Sequence, residues 1–306
     1  MIDHTPVLLE EIVKQLEEGG SPEYVVDATL GLGGYASRFL EQWRDCSVLG
    51  IDKDPMALER ASERLSRMVA TGRFKAVESD FRELDSVLLS VGWGKPDAVV
   101  FDLGVSNLQL VIPERGFSFQ ESGPLDMRMG ADGETAAMLL NSMSQEEMRR
   151  LFRDYGEEPH AGAIARGIVA YRNRKGSIET TEELVNVIRD ILPAPLQRKM
   201  NRHPARRVFQ ALRIAVNDEI GALREGLEQA GKATKEDGCV AVVSYHSLED
   251  RIVKHAFTEW ETAGFGRRFP RKAIRPTEEE VERNYKSRSA MLRIFRMRAF
   301  ATQRGR

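Results

Sequence analysis

Residues 25–34, VVDATLGLGG, restrict the possible folds of this chain more than any other stretch. Tyr24, Val25 and Val26 suit a strand covered on both faces, and Asp27 stands at its carboxyl end. Gly31, Gly33 and Gly34 follow within four positions. Glycine admits positive φ and carries no Cβ, so a backbone rich in it can lie against a ligand. Tyr35–Trp43 then has helical periodicity, and the N–H groups of its first turn should face the same ligand. Strand, glycine turn and helix in that order open a nucleotide-type α/β fold.

The next segment extends the pattern. Ser47–Ile51 is a second apolar run, closed by Asp52, which lies 21 residues after Gly31. That is close to the ~20 expected for an acid that accepts both hydroxyls of a ribose. Dinucleotides and S-adenosylmethionine share this geometry. Gly31, Gly33 and Ala36 can be set on G-x-G-x-x-G/A, so a nicotinamide cofactor competes. Asp27, just before the loop, would repel a pyrophosphate but could hold a methionine ammonium, which favours S-adenosylmethionine.

Further along, Phe74–Val77 reads as a third strand ending near Asp80-Phe81, where Phe81 could cover an adenine ring. Ala98–Phe101 reads as a fourth strand, ending in Asp102. Asp27, Asp52, Asp80 and Asp102 thus line the strand ends that form the ligand crevice of an open parallel sheet. Such a row of acids suits a cationic or hydroxyl-rich ligand. The alternation breaks after strand four. Residues 107–205 offer only helical periodicity, at Thr135–Leu140, Gln145–Phe152, Ala161–Tyr171 and Thr181–Leu192. Pro113, Gly116 and Gly123 mark the entry, and Pro193, Pro195 and Pro204 the exit. Arg207–Ala230 reads as one long helix, Cys239–Val243 as strand five and Met291–Met297 as the last strand. Pro55–Val69 reads as a helix entered through Asp54-Pro55, and Thr5-Pro6 as the start of another. The expected architecture is α/β: a discontinuous sheet domain, 1–106 and 206–306, carrying an inserted helical domain, 107–205.

Charge adds a partner. The net charge of −2 conceals balances of −13 over residues 1–160, +7 over 161–216, −5 over 217–264 and +9 over 265–306. Two basic blocks beside an acidic half point to a polyanion such as nucleic acid. The first block holds Arg166, Arg172, Arg174, Lys175, Arg198, Lys199, Arg202, Arg206 and Arg207. The only cysteines, Cys46 and Cys239, make no C-x-x-C pair, so a disulfide framework or zinc site is not expected and a reducing cytoplasm fits. Five acids in the first twenty residues do not suit a leader peptide, and no apolar run approaches the ~20 residues of a membrane span.

With these segments in place the chain resembles the ribosomal RNA small-subunit methyltransferase H family, RsmH or MraW. The resemblance rests on ordered blocks over almost the whole chain. They include HTPVLLEE at 4–11, DATLGLGG at 27–34, GIDKDP at 50–55, FDLGVS at 101–106, RGFSF at 115–119, GPLDMRM at 123–129, FQALRIAVNDE at 209–219, SYHSLEDRIVK at 244–254 and RSAMLR at 288–293. It implies a class I methyltransferase, Rossmann-like in its sheet, with an inserted all-helical substrate-recognition domain. The implied activity is S-adenosylmethionine-dependent N4-methylation of a cytidine in the decoding region of small-subunit rRNA, free or in the subunit. Implied cofactor contacts are Gly33, Gly34, Tyr35, Asp52, Phe81, Asp102 and Gln109. Tyr35 and Gln109 come from the family alone. The chain departs from the family at Tyr35, where histidine is usual, and at Asn107, Leu108 and Val111. Loss of the usual proline at 108 is expected to loosen the loop after strand four.

Cytosine's exocyclic amine is a poor nucleophile, so catalysis needs alignment and a proton acceptor. Asp102 and Ser106, after strand four, are the expected catalytic groups. C5-methylation would need a cysteine nucleophile, and neither cysteine falls near that loop. His246, Ser247 and Asp250 do not make a triad, and no metal site is expected. His246 is placed either against RNA or as a cap, and Phe117 and Phe119 either against a flipped base or in the core.

Overall fold

The computed structural model describes residues 6–200 and 203–298. Thr5, Arg202 and the end of the second basic block lie outside the described residues. Among the described residues, seven strands form one sheet: β1 (Tyr24–Asp27), β2 (Ser47–Asp52), β3 (Phe74–Glu78), β4 (Ala98–Asp102), β5 (Cys239–Ser244), β6 (Gly266–Arg268) and β7 (Met291–Met297). Their order is β3-β2-β1-β4-β5-β7-β6. Strands β1 to β5 run parallel, and β7 is antiparallel to both β5 and β6.

Alternation explains why the strands read as continuous apolar runs. Val25, Val48, Ala98, Val100 and Ala241 feed one core beneath the sheet. Their neighbours Val26, Leu49, Val99, Phe101 and Val242 feed another above it. Both faces are covered, as a parallel sheet requires. The order is that of a class I methyltransferase. An all-parallel dinucleotide fold would run 3-2-1-4-5-6; here antiparallel β7 takes the place of the sixth parallel strand beside β5.

The chain divides into two units. One gathers the described residues of Met1–Gly104 and Ile220–Arg306, the other Val105–Glu219. The second is helical and holds its own core of Leu140, Phe152, Ile164, Ile188, Phe209 and Leu212, among others. The expected exit at residue 205 therefore moves to 219. Helix Arg206–Asn217 carries Val208, Phe209 and Leu212 into this core. The single helix expected over 207–230 is two, Arg206–Asn217 and Glu219–Ala233, because Asp218 adopts a left-handed φ of 46°. The helix expected from Pro55 likewise stops at Arg64 and resumes over Ser66–Ala70. The first described helix begins at Leu9, so Pro6 precedes its first turn.

Expectation also gives way at Arg172. Its guanidinium donates to the carbonyls of Leu140 (2.7 Å), Asn141 (2.9 Å) and Met143 (2.9 Å), closing the end of helix Ala136–Ser142. Those carbonyls have no partner within the helix, so Arg172 is a structural cation. Arg166, Arg174 and Lys175 stand exposed. Arg172→Ala is expected to cost about 1.5–3 kcal/mol, the range for hydrogen bonds to a charged group. The joint change Arg166→Ala, Arg174→Ala and Lys175→Ala should move stability by no more than about 0.5 kcal/mol per site. Denaturant midpoints at constant m check both.

Candidate active site

Strand order reverses between β1 and β4, and in an open sheet that is where a ligand crevice opens. Asp27 and Asp102 end these two strands. Asp27 is 0 % exposed. Its Oδ1 accepts the Thr29 N–H at 3.4 Å, and its Oδ2 has no hydrogen-bond partner among the described residues. Burial, together with the charges of Asp102 and Asp52, pushes its pKa up to about 7 against the pull of the Thr29 and Ala36 N–H groups. A fully buried carboxylate oxygen without a donor is costly unless a ligand supplies one.

The loop after β1 is shaped to sit close to such a ligand. Gly31 and Gly33 hold left-handed φ of 51° and 72°. Gly33 is also the N-cap of helix Gly34–Gln42, whose first turn has no side-chain cap and no acid. Asp52 braces the loop: its Oδ2 accepts the Gly31 N–H at 2.7 Å and its Oδ1 the Asp54 N–H at 2.9 Å. A carboxylate has about four acceptor positions, more than these bonds use. Burial raises the Asp52 pKa despite the same bonds. Phe81 opens a short turn after β3. Its ring meets Phe101 edge-on at 5.5 Å and covers Gly226, where a Cβ would come within 2.5 Å of it. Asp80 is turned away from the row of acids by ion pairs to Lys53 and Arg82, each 2.8 Å. Burial pushes its pKa up, and these partners with the Arg82 N–H bring it below the usual range.

Asp102 is held through both its backbone and its side chain. Its N–H donates to Thr29 Oγ1 at 2.6 Å, tying β4 to the glycine loop. Its Oδ1 accepts the Tyr245 hydroxyl at 2.6 Å. Burial pushes its pKa up to about 7, opposed by hydrogen bonds of Tyr245 and Tyr35 and reinforced by Glu249. Tyr245 directly follows β5, with its ring beside Gly104 (φ 98°), where a Cβ would come within 3.4 Å. Its own N–H donates to buried Glu249 at 2.8 Å. Sequence reasoning passed over Tyr245 in favour of His246. The signal was its place immediately after strand five, beside strand four.

The structure brings Gly33, Gly34, Asp52, Phe81 and Asp102 to this sheet edge with Asp27. Tyr35 is there with its side chain: the ring is buried, the hydroxyl donates to the Val7 carbonyl, and it also lies against Asp102, whose ionised form it favours. Ser106 and Gln109 belong to the helical unit. They form a reciprocal cap on helix Asn107–Val111: Ser106 Oγ accepts the Gln109 N–H at 3.2 Å, and Gln109 Oε1 the Ser106 N–H at 3.0 Å. This cap orders the loop that the lost proline was expected to loosen. His246 is the N-cap of helix Ser247–Thr262, which answers the capping alternative. Phe117 is core, and Phe119 stacks on His203 at 4.7 Å. Both thiols are buried, which pushes each pKa up to about 12, so neither is a ready nucleophile.

The residues present fit S-adenosylmethionine. The unpartnered Asp27 oxygen suits a cationic ammonium, the left-handed glycines permit close approach, and Asp52 retains acceptor capacity for a diol. Among known proteins, the model of the MraW methylase family matches residues 1–298. The chain is 41% identical over 314 residues to ribosomal RNA small subunit methyltransferase H of Carboxydothermus hydrogenoformans, covering 97% of this chain and 99% of that one. Against the protein of the same name from Persephonella marina it is 41% identical over 295 residues, covering 96% and 99%. A solved rRNA methylase from Streptococcus thermophilus aligns with TM-score 0.43 and 13% identity over 98% of this chain and 99% of that one.

Proposed function

The chain belongs to the MraW methylase family, and on that footing we propose that it methylates small-subunit ribosomal RNA at N4 of a cytidine in the decoding region. The cofactor is S-adenosylmethionine. The observation that carries the reading is the pair of buried carboxylates, Asp27 and Asp102, at the point where the strand order reverses.

When bound, the cofactor supplies an electrophilic methyl group on a cationic sulfur. Asp27 holds the ammonium, Asp52 accepts the ribose hydroxyls, and Phe81 covers the base beside the glycine turn. Asp102, fixed by Tyr245 and Thr29, orients the cytosine amine and takes its proton. Alignment and proton acceptance are what this weak nucleophile lacks. The buried thiols support attack by nitrogen over a C5 route. Gln109 joins the cofactor contacts and Ser106 the catalytic groups on the family pattern; both stand on the helical unit, and the steps above do not depend on them. That unit recognises the RNA. The enzyme works in the cytoplasm, and no described helix is long and apolar enough to cross a membrane.

The test is transfer of labelled methyl from S-adenosylmethionine to unmethylated small subunits or their RNA, followed by nucleoside analysis. The expected product is N4-methylcytidine, with NAD failing to compete for the cofactor site. Absence of transfer, or label at C5, would remove this reading.

The exposed cations of the insertion give a second expected result. Each phosphate that the joint Arg166, Arg174 and Lys175 alanine variant no longer neutralises should flatten log affinity against log salt by about 0.7–0.9. Cofactor affinity should hold. An unchanged slope in the folded variant would leave these cations as solvated surface.

A further inference from the structure

We propose that residues 265–275, along the outer edge of the sheet, form a track for single-stranded RNA that leads to the catalytic edge. The proposal rests on the reading above and adds a second RNA surface on the sheet unit itself.

The pairing sets the direction of the track. β6 is the last strand of the sheet. Gly266 faces Met297, Arg267 faces Arg296 and Arg268 faces Phe295. Beyond β6 the Phe269 N–H still reaches the Ile294 carbonyl at 3.2 Å, and Ile274 bridges Leu292. The segment therefore runs beside β7 from Met297 towards Leu292. The next residue, Met291, pairs with Ser244, which precedes Tyr245, the residue bonded to Asp102. One end of the strip thus adjoins the edge where the target base must sit.

Its chemistry suits a polyanion with stacking faces. Residues 262–277 contain five cations and no acid. Arg268 is consumed by an ion pair with Glu261, Nε to Oε2 at 3.0 Å. Arg267, Lys272 and Arg275 are exposed, as is Arg271, which is 79 % exposed and only 3.9 Å from the same Glu261. Two phenylalanine rings stand among them, Phe265 51 % and Phe269 40 % exposed. Arg267 lies over the Phe269 ring at 5.2 Å and Arg296 at 5.8 Å. Cations on the backbone path and aromatic faces for bases are what sequence-tolerant binding of single strands uses. A strand edge blunted by charge alone needs no exposed rings.

The test uses the whole enzyme and unmethylated small-subunit rRNA transcribed in vitro. The joint variant Arg271→Ala, Lys272→Ala and Arg275→Ala spares Arg268 and Arg296, both of which brace the fold. Phe265→Ala removes one stacking face. Each variant must first match the wild-type melting curve, and Lys272→Ala alone stands in if the joint change unfolds the chain. The joint variant should raise KM for RNA about tenfold and flatten the salt dependence of RNA binding. Phe265→Ala should weaken binding about fivefold or more without changing the salt slope. Affinity for S-adenosylmethionine and kcat at saturating RNA should hold. Unchanged RNA affinity and salt slope in folded variants would overturn the track and leave the cations as protection of the strand edge. If wild-type enzyme transfers no methyl to RNA, the functional reading fails instead, and direct binding of the same RNA still decides the track.

Discussion

Asp102→Asn should lower methyl transfer at saturating substrates by about 10²–10⁴-fold, the usual contribution of a positioned proton acceptor. The substitution keeps shape and leaves an amide oxygen to accept the Tyr245 hydroxyl, now 2.6 Å from Oδ1. The backbone bond from Asp102 N–H to Thr29 is untouched, so the fold should hold. The wild-type pH profile makes the same point. With the Asp102 pKa of the free enzyme pushed up to about 7 by burial, the proposed acceptor is protonated below that pH, so kcat/KM should rise through about pH 7 and level off above it. Tyr245→Phe removes a hydrogen bond that favours the ionised form. The Asp102 pKa then rises further, and the limb of the profile should move to higher pH. An Asp102→Asn enzyme with wild-type kcat, or a flat wild-type profile from pH 6 to 8, would contradict the role.

What could be read in the sequence, and what could not, follows from the range of each interaction. Asp27, Asp52 and Asp102 were legible because a strand end is a local feature and every parallel strand points its end at one crevice. The capping of His246 was an open alternative for the same reason, since a cap involves residues three apart. Tyr245 was missed because its bond to Asp102 joins residues 143 apart and exists only once β4 and β5 pair. Arg172 was misread because a cation in a basic run looks solvated until the helix it closes, about thirty residues earlier, is placed beside it. The break at Asp218 was hidden by apolar periodicity on either side of it. Asp is one of the few residues that takes a left-handed turn cheaply, yet nothing local required that turn. It serves the passage from one core to the other.

Asp27→Asn should raise the stability of the cofactor-free protein while weakening cofactor binding at least about thirtyfold. In the unfolded chain this carboxyl titrates near 3.9, and in the folded chain near 7. Between these values the native state holds the extra proton, so its stability should fall as pH rises from about 4 to about 7. A shift of about three units corresponds to roughly 4 kcal/mol. That cost is fully present above pH 7 and absent in the asparagine variant. At about 2–4 °C per kcal/mol for a large domain, melting of the variant at pH 7.5 should rise by roughly 10 °C. Binding should move the other way. Wild-type affinity for S-adenosylmethionine should increase with pH up to about 7, because the proposed ammonium contact needs the ionised carboxylate. In the variant, removal of one member of a buried charge pair should cost about 2–5 kcal/mol, or roughly thirtyfold to several thousandfold in affinity. Calorimetric melting of the cofactor-free protein and titration with S-adenosylmethionine, each from pH 5 to 8, measure the two effects. A variant that binds as tightly as wild type would free Asp27 from the cofactor. One that binds weakly but melts no higher would show that the buried carboxylate is not the strained group of the empty fold.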